Sequence, residues 1–261
     1  MSHYLIDYTL HLADTNLILS QRNSEWCGHG PVLEQDIAIT NISLDLLGQA
    51  RILYQYAAQL LNEPLKSTEA KVPPSEGFRE ASENSLAYLR KEREFKNFLL
   101  VEQPNSDWGQ TILRQYLFSQ FQYLLYDKLQ HCDDEQLAAI AVKSLKETTY
   151  HVRWSSEWVI RLGDGTEESH KRMLKAIEEL WRYTGELFIP VVYENETGID
   201  VASLKNAWLQ KVKTIFNEAT LPVPENIFIQ TGGKTGTHTE HLGYILAELQ
   251  YVQRTYPGCE W

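Results

Sequence analysis

An all-α fold is predicted by three features of the sequence. Apolar residues recur at three- and four-residue spacing through long runs, the spacing of one face of a helix. Strict apolar–polar alternation, the mark of a half-buried strand, is almost absent. Glycine and proline gather between the runs rather than within them. With 261 residues, 43% of them hydrophobic, seven Trp and fourteen Tyr, the chain can enclose a large core, and residues 1–261 are expected to form one helical domain.

Taken in order, Tyr4–Gln21 reads as a helix with Leu5, Leu10, Leu12, Leu17 and Leu19 apolar. Trp26–Pro31, with two glycines and a proline, ends it. Pro31 opens the next helix, whose first turn holds Glu34 and Asp36 to complement the dipole. That helix, Glu34–Leu61, is apolar on most sides (Ile37, Ile39, Ile42, Leu44, Leu46, Leu47, Ile52), which predicts a place in the middle of a bundle. Lys66–Gly77, containing Pro73 and Pro74, reads as an exposed connection. A shorter helix over Ser82–Gln103, with an interruption near Lys91–Arg93, is stopped by Pro104.

Ser106 or Asp107 then caps an aromatic-rich helix, Trp108–Gln130. Asp133, three residues before Gln136, resembles a cap for Glu135–Leu162, which Gly163 and Gly165 terminate. Ser169–Phe188 and Leu204–Glu218 are amphipathic helices separated by an irregular stretch. Leu221–Thr237 reads as loop, and Thr239–Tyr256 as the last helix.

Charge and composition exclude several function classes. A net charge of -11 argues against nonspecific nucleic-acid binding, which needs a basic face. No apolar run is long enough to span a bilayer, and the first residues lack the charged and apolar regions of a signal peptide. Cys27, Cys132 and Cys259 are far apart, form no CxxC pair, and point to a reduced, cytoplasmic protein.

Two central helices carry an internal echo. Asn41, Asp45 and Gln49 fall at four-residue spacing, as do Lys143, Glu147 and His151, and each triplet is followed by an arginine, Arg51 and Arg153. Two helix pairs related by pseudo-twofold symmetry would produce it. Carboxylate-bridged dinuclear sites are built from one carboxylate on each of two helices and Glu-x-x-His on each of two others. Here Asp14 and Asp45 are available, but Gln49 replaces a histidine, Thr148 replaces the glutamate before His151, and the middle of Trp108–Gln130 has no acid. That set is too incomplete for a working dinuclear centre.

Other constellations read as structural. Glu167–His170 sits at a helix start, where acids compensate the dipole. His238 and His241 read as a hydrogen-bonded helix start rather than a metal site. Gly232–Gly236 (GGKTG) lacks the first glycine and the preceding strand of a phosphate-binding loop. Lys234 and nearby amides leave an anion such as a coenzyme A thioester as an alternative ligand.

Several blocks together resemble a known family. Trp26–Arg51 (WCGHGPVLEQDIAITNISLDLLGQAR), Leu99–Asn105 (LLVEQPN), Lys146–His151 (KETTYH), Arg161–Ser169 (RLGDGTEES) and Thr231–Arg254 (TGGKTGTHTEHLGYILAELQYVQR) are similar to the C component of the multicomponent phenylacetyl-CoA oxygenase, the ring-1,2-epoxidase. The blocks span nearly the whole chain. The resemblance implies a ferritin-like four-helix bundle with flanking helices and a role in aerobic phenylacetate catabolism. It also implies that the di-iron site and the coenzyme A substrate pocket belong to a partner, the catalytic A component. A separate reductase would carry flavin and an iron–sulfur cluster. The C component itself would be a metal-free, non-catalytic support for that catalytic partner, so no catalytic, cofactor or metal residue is carried over. A homodimer of the isolated chain is compatible with the sequence. The alternatives are an oxygenase component with its own atypical dinuclear metal and an acyl-CoA-binding module.

A bundle that has lost its metals must still satisfy the carboxylates left behind. Lys143 is therefore expected to stand where a metal would, bridging Glu147 and Asp45, in a structural cluster of Asp45, Gln49, Lys143, Glu147 and His151. The aromatic helix Trp108–Gln130 is expected to contribute to the surface that meets the partner.

Overall fold

The computed structural model describes residues 3–63, 81–225 and 227–259, and every regular element among them is helical. The elements are α1 (His3–Ser24), α2 (Leu33–Asn62), α3 (Glu83–Tyr88), α4 (Leu99–Glu102), α5 (Trp108–Leu129), α6 (Glu135–Gly163), α7 (Glu167–Thr184), α8 (Val192–Glu196), α9 (Lys205–Glu218), α10 (Glu240–Leu249) and α11 (Tyr251–Thr255). Short 3-10 turns lie at Glu92–Glu94, Gly185–Phe188, Ala202–Leu204 and Gly233–Thr235. The expected connection Lys66–Gly77 lies outside the described residues.

The long helices pair as α1 with α2 and α5 with α6, and α2 meets α6 across the middle. Short links make each pair antiparallel, which gives the two helix pairs that the echo predicts. α7 and α9 pack against the α5–α6 pair. Side-chain caps fix several starts. Asp107 accepts from the Gln110 amide at 2.9 Å and opens α5, and Asp134, not Asp133, accepts from the Leu137 amide at 2.7 Å and opens α6. Thr166 and Ser169 form a reciprocal capping box for α7.

α6 shows how pattern becomes packing. Leu137, Ile140, Ala141, Ser144, Thr148, His151, Ser155 and Val159 recur every three or four residues and are buried. α5 is buried along nearly its whole length, through Ile112, Leu113, Tyr116, Leu117, Phe118, Phe121, Leu125 and Tyr126. The expectation that α5 offers an interface face is therefore wrong: α6, α7 and α9 already cover its aromatic residues.

α2 departs from expectation in the opposite sense. Its inner side packs on α1 and α6, but Leu33, Ile37, Leu44 and Leu47 are 71%, 51%, 59% and 42% exposed. The helix is apolar all round because two of its sides bury surface within the chain and a third carries an apolar stripe that no described residue covers.

The segment Ser82–Gln103, expected as a helix interrupted near Lys91–Arg93, is α3, a 3-10 turn at Glu92–Glu94 and α4, so the break falls there but extends to Phe98. Tertiary partners replace helical hydrogen bonds there. The Lys96 amide donates to Asp14 and the Leu99 amide to Glu186, while the Lys96 carbonyl meets His11. The last predicted helix is likewise two, α10 and α11.

Gly163 ends α6 against the end of α9, where a Cβ would run into the Ala219 carbonyl oxygen. Gly163→Ala is expected to cost about 1–3 kcal/mol by overpacking. Gly48→Ala, in α2 with nothing within 4 Å of the added carbon, is expected to gain about 0.5–1 kcal/mol from helix propensity. Urea denaturation of the two variants beside the parent checks both signs.

Candidate functional site at the bundle centre

The two sequence triplets meet where α2 faces α6, and they pair crosswise. His151 Nε2 donates to Asp45 Oδ2 at 3.0 Å, and Gln49 Nε2 donates to Glu147 Oε2 at 2.8 Å. A step of four residues forward on α2 is matched by four residues back on α6, the register of antiparallel helices. The third member of each triplet, Gln49 and His151, is buried, while Asp45 and Glu147 sit half-buried at the rim.

Lys143 does not join them. It is exposed and forms no ion pair with Asp45 or Glu147. The reason is helical geometry: at about 100° per residue, Lys143 lies about a quarter turn round from the buried stripe centred on Ser144 and His151, on the solvent side of Glu147. Glu147 is instead satisfied by the neutral amide of Gln49. Thr148, buried, turns its hydroxyl back to the Ser144 carbonyl at 2.9 Å.

The interior behind this seam belongs to residues that the sequence pattern did not single out: Asn16 on α1, and Gln122 and Tyr126 one turn apart on α5. Gln122 Nε2 donates to Asn16 Oδ1 at 2.7 Å, and Asn16 Nδ2 donates to the Tyr126 hydroxyl at 3.1 Å. The Tyr126 hydroxyl in turn donates to Gln49 Oε1 at 3.1 Å. One chain of hydrogen bonds thus runs across all four long helices, from Asn16 through Tyr126 and Gln49 to Glu147. Burial pushes the Tyr126 phenol up to about 12, so it stays a neutral donor. The available signal was the i, i+4 pair of polar residues in the acid-free middle of α5.

The donor set does not fit a dinuclear metal. Three neutral amides, a phenol and one carboxylate line the centre, whereas two divalent ions require several carboxylates and imidazoles. The one nearby histidine is committed to Asp45. Asp14, the acid available on α1, is buried and engaged elsewhere, with Arg90, the Tyr54 hydroxyl at 2.6 Å and the Lys96 amide at 2.9 Å.

A second polar belt binds the carboxy-terminal segment. Glu186 Oε1 accepts from the amides of Gly232 and Gly233, both at 2.8 Å, and its other oxygen accepts from the Leu99 amide at 2.8 Å. The glycine-rich loop does cradle an anion, but the anion is the protein's own carboxylate. Lys234 is buried and bonds both oxygens of Glu194 at 2.9 and 3.0 Å. Burial pushes the Glu194 carboxyl up and the Lys234 ammonium down, and their contact opposes both. No free ammonium remains at this loop for a coenzyme A phosphate, which overturns the acyl-CoA reading built on Lys234.

Three further histidines, His238, His170 and His11, are internal structure as well. His238 lies between Glu102 Oε2 at 3.0 Å and the Phe95 carbonyl at 2.9 Å. His170 meets the Gly163 carbonyl at 2.7 Å and so closes the end of α6. His11 bonds the Lys96 carbonyl at 2.6 Å through Nδ1. Its Nε2 is buried without a hydrogen bond, 3.9 Å from a Glu194 oxygen that Lys234 already neutralises. That contact is too long and too compensated to hold a proton on His11.

Comparison with known proteins follows the same outline. A family model described as "Phenylacetic acid catabolic protein" matches residues 1–261. A curated relative, the C component of 1,2-phenylacetyl-CoA epoxidase of Escherichia coli (strain K12), is 47% identical over 262 residues, covering 98% of this chain and 99% of the relative.

Tyr126→Phe is expected to cost about 1–3 kcal/mol, because it leaves Asn16, Gln49 and Gln122 short of a buried partner. Lys143→Ala is expected to fall within about 0.5 kcal/mol of the parent, as exposed substitutions do. Thermal unfolding of the two variants checks this ordering.

Two histidines shape the pH response in opposite directions. Burial, with Lys234 adding repulsion, lowers His11 to about 3, so its neutral form stabilises the fold above pH ~6.5 and that contribution is lost as pH falls toward 3. For His238, burial acts downward, but the Glu102 carboxylate and the Phe95 carbonyl outweigh it and raise the pKa. Its contribution is complete below pH ~6.5 and is lost as pH rises through the elevated value. Denaturation across pH 4–9 should show His11→Gln flattening the acid limb and His238→Gln flattening the alkaline limb.

Proposed function

This chain belongs to the phenylacetic acid catabolic protein family, and we propose that it is the non-catalytic structural component of a phenylacetyl-CoA 1,2-epoxidase. In this reading it binds and supports a catalytic partner, the A component of the same complex. That partner holds the di-iron centre and the coenzyme A substrate, while a reductase with flavin and an iron–sulfur cluster delivers electrons. The assembly is cytoplasmic, and no helix among the described residues is long and apolar enough to cross a membrane.

The observation that carries the proposal is the hydrogen-bond chain from Asn16 to Glu147. It fills the bundle centre with neutral side chains bonded to one another, Gln122 Oε1 and His151 Nδ1 alone there lacking a partner, and among the described residues leaves no set of charged donors facing an open position. Such a centre gives rigidity and shape rather than redox chemistry.

The exposed stripe on α2 supplies the surface for a partner. Leu33, Ile37, Leu44 and Leu47 follow one another at near-heptad spacing, as the core of a helix-packing interface does.

Reconstitution tests the assignment. The purified chain mixed with the di-iron partner and the reductase should co-elute as a complex, and phenylacetyl-CoA epoxidation should depend on its presence. Near-stoichiometric iron bound to this chain alone would overturn the reading. Ile37→Asp with Leu44→Asp, on a solvent-facing side, should leave the unfolding transition of the isolated chain nearly unchanged. The pair should weaken association with the di-iron partner by about 2 kcal/mol or more, the scale of an interface hot spot.

A further inference from the structure

An aromatic cleft away from the bundle centre is used by neither the hydrogen-bond chain nor the α2 stripe. α7, the Gly185–Phe188 turn and the start of α9 enclose it, with a volume of about 280 Å³. Its floor is three rings: Trp208 lies 5.8 Å from Trp181 and 5.3 Å from Phe188 between centroids. Ile227 and Ile229 form a wall. That wall is held in place, since the Gln230 amide donates to the Arg182 carbonyl at 2.9 Å. Gly185 also lets the loop approach so closely that a Cβ there would stand 2.6 Å from Ile229.

Among the described residues, the only charged side chain lining the cleft is Lys205, which is exposed. The ion pairs and ring-stacked cations among those residues use other lysines and arginines, so its ammonium is uncommitted. No acid among them lines the cleft, on a chain whose net charge is -11.

We propose that this cleft binds a small aromatic carboxylate. The ring lies among Trp181, Phe188 and Trp208, and the carboxylate faces Lys205. Aromatic floors favour an aromatic guest through edge-to-face and offset contacts. A free cation beside an apolar, water-poor surface selects an anion over a neutral molecule. The volume lies just under the roughly 300–1,000 Å³ of pockets for larger ligands, which limits the guest to about one ring. The inference does not rest on the proposed role in the epoxidase, because the cleft is complete within this chain.

The full chain is titrated with phenylacetate, followed by tryptophan emission and calorimetry, beside phenylacetamide, which keeps the ring and loses the charge. Saturable phenylacetate binding is expected, weakened about three- to fivefold in phenylacetamide and in Lys205→Gln, the scale of an exposed ion pair. Leu209→Trp, which fills the cleft, should abolish it. Lys205→Gln alters only an exposed side chain and keeps the test valid should Leu209→Trp fail to fold. No saturable binding of phenylacetate, equal binding of the amide, or unchanged affinity in Lys205→Gln or in a folded Leu209→Trp would each overturn the proposal.

Discussion

The need of buried polar atoms for partners governs the middle of this bundle. Each long helix brings polar side chains to the same depth, where water cannot reach them, and an unmet donor or acceptor there costs about 1–3 kcal/mol. The Tyr126 hydroxyl makes the solution possible, because one atom accepts from α1 and donates to α2. The contacts of Gln49 and Glu147 then close the circuit on α6. Rotation or sliding of any one helix breaks several of these bonds together. The network therefore fixes helix register, a role that buried polar groups fill in coiled coils too.

This arrangement gives the bundle a centre unlike that of a carboxylate-bridged dinuclear site. A metal centre neutralises inward carboxylates with cations. Here the inward groups on α1 and α5 are amides and a phenol, which need no neutralisation, and the two remaining carboxylates move to the rim. Asp45 and Glu147 each keep one neutral or imidazole donor and partial contact with water. The desolvation penalty of a fully buried carboxylate is thereby avoided. Asp14, which is fully buried, is the exception, and the Arg90 guanidinium meets it directly.

Much of the fold was readable from the chain. Helical periodicity placed the long helices, and the echo of Asp45 and Gln49 with Glu147 and His151 identified the residues that meet between α2 and α6. What periodicity could not supply was depth: Lys143 shares a face with Glu147, but that face is the rim, and the buried stripe lies about a quarter turn further round. It could not distinguish an apolar helix in the middle of a bundle from one with an uncovered face, which misjudged α2 and, inversely, α5. Asn16, Gln122 and Tyr126 escaped because amides and phenols in an apolar run carry no charge pattern. In the segment around α3 and α4 only the interruption near Lys91–Arg93 was legible, because the partners that hold the rest of the break, Asp14 and Glu186, lie far away in sequence.

The carboxy-terminal belt has a consequence for how the chain acquires its structure. Glu102, Glu186 and Glu194 are all buried, and each draws part of its hydrogen bonding from residues 232–239: His238 and Thr239, the amides of Gly232 and Gly233, and Lys234. A ribosome delivers that stretch after all three acids. Until it emerges, three acids destined for the interior lack part of their compensation, and burying the segments that bear them is the more costly. The bundle helices can assemble early, but this flank of the molecule locks only after residues 232–239 have emerged, as a keystone seats after the arch is raised.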